Sequence, residues 1–150
     1  MNVSSKVPTE ADWAACPTDL DGPYARKNFF GKSREEGAQV FEWVVLERAA
    51  EVRIMPPGPF RFYMLSFKDH VMSDRVLSGD WAADAASSFL NTILEKAEKE
   101  AEIIRPIMPE LLPAAEFIAS HQLRYKAPVK IYGSFQKKLN RIRKLLEQKP

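Results

Sequence analysis

An all-α fold, an irregular bundle of about five helices with a turn-rich N-terminal arm, is the architecture this sequence predicts. Three observations carry it. Apolar residues recur at spacings of three and four over 60–71, 80–105 and 134–147, the period of a helix face and not of a strand. Helix-start residues precede helical runs: Ser33 with Glu36 in capping-box register, then Asp80 and Ser134. Proline-rich breaks at 56–59 and around 106–113 separate the runs, because proline lacks the N–H that a helix interior needs.

The chain has 150 residues, 45% hydrophobic and 28% charged, which reads as a single domain over 1–150. A chain of this length buries roughly two-thirds of its unfolded surface, so it needs neither metal nor disulfide to hold a core. The lone Cys16 excludes an intrachain disulfide and fits a reducing compartment. The first residues carry Glu10, Asp12 and Asp19 with no apolar run of signal-peptide type. No stretch approaches the ~20 apolar residues of a membrane span. A soluble cytoplasmic protein without transmembrane association is the expectation.

Residues 1–32 combine Pro8, Pro17, Gly22 and Pro23 with polar residues, the composition of irregular chain. Trp13, Tyr24, Phe29 and Phe30 are costly to leave in water, so this segment is expected to lie across the domain as an extended packed arm. The first helix starts at the Ser33 cap and runs through EGAQVFEWVVLERAA, with Val40, Trp43, Val44 and Glu47 on one face and Phe41 and Val45 widening it. Gly37 weakens its first turns. After the PPGP corner, Phe60, Tyr63, Met64, Phe67 and Val71 form a second helical face, with a short strand over 60–65 as the alternative.

The longest helix is expected from about Asp80 to Arg105, burying Trp81, Ala85, Phe89, Ile93, Ala97, Ala101 and Ile104. Glu95 to Lys99 and Lys96 to Glu100 face solvent as i,i+4 pairs, each worth ~0.2–0.5 kcal/mol. Pro106 ends it, and Pro109 or Pro113 starts a fourth helix reaching His121, with Phe117 and Ile118 inward. A connector docks through Tyr125, Ile131 and Tyr132. Ser134 then caps a terminal helix whose Phe135, Leu139, Ile142 and Leu146 lie at i, i+4, i+7 and i+11.

The formal charge of +2 hides a segregation: residues 1–73 carry −1, 74–123 carry −5 and 124–150 carry +8. Such polarity either steers an acidic partner or is neutralised when the tail packs on the acidic middle. The residue types of catalysis are scarce. Cys16, His70 and His121 stand far apart without local ligand spacing. Glu95, Glu98 and Glu102 have no Glu-x-x-His partner and read as a solvated face. In Lys68-Asp69-His70, neighbouring helical side chains diverge, so Asp69 does not orient His70 as a triad would. Gly31-Lys32-Ser33 matches only the end of a phosphate loop, and Ser33 is explained as a cap.

No catalytic residue, metal or cofactor is therefore assigned. The expected function is that of a non-catalytic protein-binding module, an adaptor, inhibitor or immunity-like protein, with Trp13, Tyr24, Phe29 and Phe30 as candidate contacts to a protein partner or to a second copy. The alternatives are sequence-independent nucleic-acid binding through Lys137, Lys138, Arg141, Arg143 and Lys144 of the terminal helix, and an enzyme of unknown reaction.

Overall fold

The computed structural model describes residues 6–147. These residues form ten α-helical segments and one turn of 3-10 helix, with no strand among them. The all-α expectation holds; the count of about five helices does not. The chain divides into two compact units between His70 and Val71.

The first unit holds α1 (Gly22–Phe29), α2 (Arg34–Val40), α3 (Val45–Arg53) and nearly all of α4 (Pro57–Val71). Helix α1 lies within the segment expected to be an irregular arm. Its Pro23 stands in the first turn, where a missing N–H costs nothing and a fixed φ favours the helix. The long helix expected from Ser33 onward is two. Its start is as read: Ser33 Oγ accepts from the Glu36 amide at 3.1 Å and Glu36 Oε1 accepts from the Ser33 amide at 2.8 Å. It stops at Val40, and Val44 leaves the helical region at φ −139°. The run Phe41-Glu42-Trp43-Val44-Val45 is aromatic and β-branched, hence poor in helix propensity. Breaking there lets Phe41 turn inward, its ring stacked on Phe67 at 4.3 Å and tilted against Phe29 at 5.5 Å.

Helix α4 carries the stripe read from its spacing, and Phe60, Tyr63, Met64, Phe67 and Val71 are all fully buried. The 60–65 strand alternative is excluded. Gly37 is the contact point of α2 on α4, where an added Cβ would lie 2.7 Å from Ser66 Oγ and 3.0 Å from the Tyr63 ring. Four hydrogen bonds lock the same approach. Tyr63 donates to the Lys32 carbonyl at 2.8 Å, Ser66 donates to the Arg34 carbonyl at 2.9 Å, and Arg34 grips both Asp69 oxygens at 2.6 and 2.9 Å.

The second unit runs through α5 (Asp74–Leu77), α6 (Ala82–Lys99), α7 (Ala101–Ile104), a 3-10 turn (Arg105–Ile107), α8 (Met108–Ser120), α9 (Val129–Tyr132) and α10 (Phe135–Glu147). The expected 80–105 helix breaks at Glu100, φ −146° and ψ 57°. No glycine or proline marks that position. Pro109 opens α8 and Pro113 sits inside it. Helix α10 packs on both α6 and α8, burying Phe135, Leu139 and Ile142 of the expected seam, while Leu146 is only half-buried. The connector is gathered by Gln122, whose Nε2 donates to the Ala127 and Gly133 carbonyls and whose Oε1 accepts the Phe135 amide. Tyr125 is buried and donates to the Val71 carbonyl at 2.9 Å.

Candidate functional site

The N-terminal unit sorts its aromatic residues in a way that the sequence did not foretell. Trp13 is 1% exposed and Phe29 fully buried, the two rings converging on Tyr63 at 6.1 and 5.0 Å. Neither offers a surface to a partner, because a ring beside Tyr63 covers more apolar area than one held in solvent. Tyr24 and Phe30 do remain exposed, with Phe30 under the Arg26 guanidinium at 4.7 Å. Trp43, expected on a buried face, is instead 78% exposed, with Val44 and Leu46 open beside it.

This outward Trp43 is fixed by its neighbours. Phe41 and Val45, two residues to either side, are buried, so the corner between α2 and α3 has its inward anchors at both ends and presents the indole between them. The signal available in sequence was the propensity-poor run FEWVV, which marks a corner more readily than a helix interior.

Along α3 from this corner, Glu47, Arg48, Ala50 and Glu51 meet Asp21 and Tyr24 to line a cleft of about 400 Å³. Glu51 is 4% exposed and accepts from Asn28 Nδ2 at 2.9 Å and Arg48 at 3.1 Å. Burial pushes its carboxyl up to about 7, the nearby Asp21 and Glu47 charges adding to the shift and Arg48 opposing it. Arg48 Nε is buried without a hydrogen-bond partner among the described residues. Leu20, next to Asp21, is 85% exposed and takes φ +52°, a left-handed backbone unusual for a branched side chain.

The residues weighed for catalysis have structural surroundings. Cys16 Sγ lies 3.6 Å from the Gly22 carbonyl, and burial pushes the thiol up, away from the reactive thiolate. Asp69 is turned to Arg34, while His70 packs against Phe41 at 5.7 Å and burial lowers it to about 4. His121 stacks on Phe117 at 4.1 Å and its Nδ1 meets the Phe117 carbonyl at 2.8 Å. Among the described residues no group of three or more His, Cys, Asp or Glu could hold a metal ion, and no helix is long and apolar enough to cross a membrane.

The five basic residues assigned to the terminal helix divide into two sets. Lys138 Nζ donates to the Tyr132 carbonyl at 3.1 Å and stands over the Phe135 ring at 5.6 Å, and Arg143 pairs with Glu116. Lys137, Arg141 and Lys144 are exposed. In the same unit Trp81, expected within the buried α6 stripe, is 60% exposed, and Ile131, expected to dock, is 75% exposed. Trp81 lies ahead of the first turn of α6 and Ile131 on a one-turn helix with no buried residue, so neither reaches its unit's apolar seam.

No protein-family model, curated protein or solved structure matches this chain.

Proposed function

We propose that this chain is a non-catalytic protein-binding module, of adaptor, inhibitor or immunity-like kind, that docks its partner on the Trp43 surface of the N-terminal unit. The observation that carries the reading is the 78% exposure of Trp43 between two buried anchors, Phe41 and Val45. A free indole in water is a standing cost, and a side chain with only two torsions loses little conformational entropy on docking. Covering a tryptophan removes up to about 200 Å² from water, a gross gain of about 5 kcal/mol before the costs of association. Val44 and Leu46 extend the apolar area, and the Asp21 and Glu47 carboxylates of the adjoining cleft favour a partner with a cationic rim.

The test is affinity capture from native cell extract with the wild-type chain and with Trp43→Ala, after nuclease treatment and at raised salt. A stoichiometric protein partner retained by wild type and lost from a folded Trp43→Ala chain supports the reading. Equal retention by both chains, or recovery of salt-labile nucleic acid alone, overturns it. A second copy as the partner is read from sedimentation of the purified chain, where Trp43→Ala shifts the assembly to monomer.

A further inference from the structure

We infer that the outer face of α10 is a second binding site, separate from the Trp43 surface, that takes the phosphate backbone of a nucleic acid without reading its sequence. Lys137, Arg141 and Lys144 recur at i, i+4 and i+7, a single helical face, and all three are exposed. Their side chains make no ion pair among the described residues.

The acidic stretch of the same unit does not neutralise them. Glu95 and Glu100 pair within α6 and its end, with Lys99 at 2.9 Å and Lys96 at 3.0 Å. Asp84 accepts from the Tyr132 hydroxyl at 3.0 Å, and Glu116 is taken by Arg143. The one acidic residue of segment 124–150, Glu147, stands one turn beyond Lys144. Lys137, Arg141 and Lys144 therefore stay open on the surface, and exposed Lys130 of α9 adds to them.

Chemistry decides between a nucleic acid and a lipid surface. A helix that lies on a membrane needs its apolar face free to enter the acyl boundary. In α10 that face is spent: Phe135, Leu139 and Ile142 are buried within the unit, and the residues beside the cations include Gln136 and Asn140, both polar and exposed. What remains is a polar, cationic stripe. From Lys137 to Lys144 it spans about 10 Å of helix axis, a length over which duplex DNA presents about six phosphates. No exposed aromatic or recognition helix accompanies it on α10, which is why the contact is to backbone and not to base edges.

The full chain is titrated into random-sequence duplex DNA and RNA by mobility shift over a range of salt. Three phosphate contacts give a log–log salt slope of about −2.7. Lys137→Gln, Arg141→Gln and Lys144→Gln each make the slope shallower by about one, and the triple variant, its fold checked by circular dichroism, loses binding. Arg143→Gln is the control, since Glu116 already holds that guanidinium; its slope stays that of wild type. Four results overturn the inference: no binding, a triple variant that binds like wild type, an Arg143→Gln loss equal to that of Arg141→Gln, or tighter binding to phosphatidylserine vesicles than to the duplexes at equal salt. None of these bears on partner capture at Trp43, which is scored after nuclease treatment.

Discussion

Gly37 and Ser66 are packed so closely that a methyl group on Gly37 would come within 2.7 Å of the Ser66 hydroxyl. That hydroxyl is held by its 2.9 Å bond to the Arg34 carbonyl, so it does not swing aside freely. Alanine is favoured over glycine in a helix by up to about 1 kcal/mol, but overpacking a tight contact costs about 1–3 kcal/mol. Gly37→Ala is expected to destabilise the chain by about 1–2 kcal/mol net in urea unfolding. Adding Ser66→Ala to it recovers part of the loss, because the nearest clash is then removed while the Tyr63 ring at 3.0 Å remains. A stabilised Gly37→Ala chain would remove this contact from the account of how α2 docks on α4.

Glu51 and His70 act on stability in opposite directions as pH changes. Burial raises Glu51 from 4.5 to about 7, so its contribution is complete below the unfolded value and is lost as pH rises through 7. Burial lowers His70 from 6.5 to about 4, so its contribution is complete above 6.5 and is lost as pH falls through 4. Each shift corresponds to roughly 3 kcal/mol. Glu51→Gln is expected to leave a chain that loses stability between pH 6.5 and 4, and His70→Gln one that gains stability as pH falls from 7 to 4.5. Urea midpoints across this range check both, and a single variant with the same pH profile as wild type contradicts the pairing.

Leu20 holds a left-handed backbone at φ +52° with 85% of its surface in water. That conformation costs a branched residue roughly 1–2 kcal/mol, with no packing on the exposed side to offset it. Leu20→Asn relieves it and is expected to raise stability by up to about 1 kcal/mol. An unchanged or lower Tm means that the strain is not relieved there.

Tyr125 and Tyr132 each donate one hydroxyl bond of similar length, to the Val71 carbonyl and to Asp84. Only the first is buried. Tyr125→Phe strands a buried carbonyl and should cost about 1–3 kcal/mol. Tyr132→Phe leaves a carboxylate that water can reach, and is expected to cost under about 1 kcal/mol. Equal losses in paired denaturation curves would show that exposure does not separate them.

Local signals were legible and tertiary ones were not. Ser33 with Glu36 announces a helix start from four residues alone, and the face of α4 and the first three seam residues of α10 follow from spacing because they are buried. The corner at Phe41–Val45 and the break at Glu100 lack glycine and proline; the corner is tied to Phe41 reaching Phe67 and Phe29, and no local residue type announces the break. Pro23 was ambiguous, since the same ring that breaks a helix interior starts a first turn. Two of the four candidate contacts, Trp13 and Phe29, are buried for a related reason. Burial of Trp13 depends on Tyr63, fifty residues away in sequence, and the exposure of Trp43 depends on a corner that periodicity does not reveal. The division of the five α10 cations likewise needed Glu116 and the Tyr132 carbonyl in place before it could be drawn.

The unequal exposure of the three tryptophans makes the chain its own optical instrument. Trp13 is enclosed in the N-terminal unit, Trp43 stands in water on the same unit and Trp81 in water on the other. Indoles in water emit further to the red than enclosed ones and are reached by dissolved iodide. The blue component of the emission therefore belongs to Trp13 and vanishes when the N-terminal unit opens, while the iodide-sensitive component that a docked partner shields belongs to Trp43, and a Trp81→Phe chain reads both without interference from the C-terminal unit.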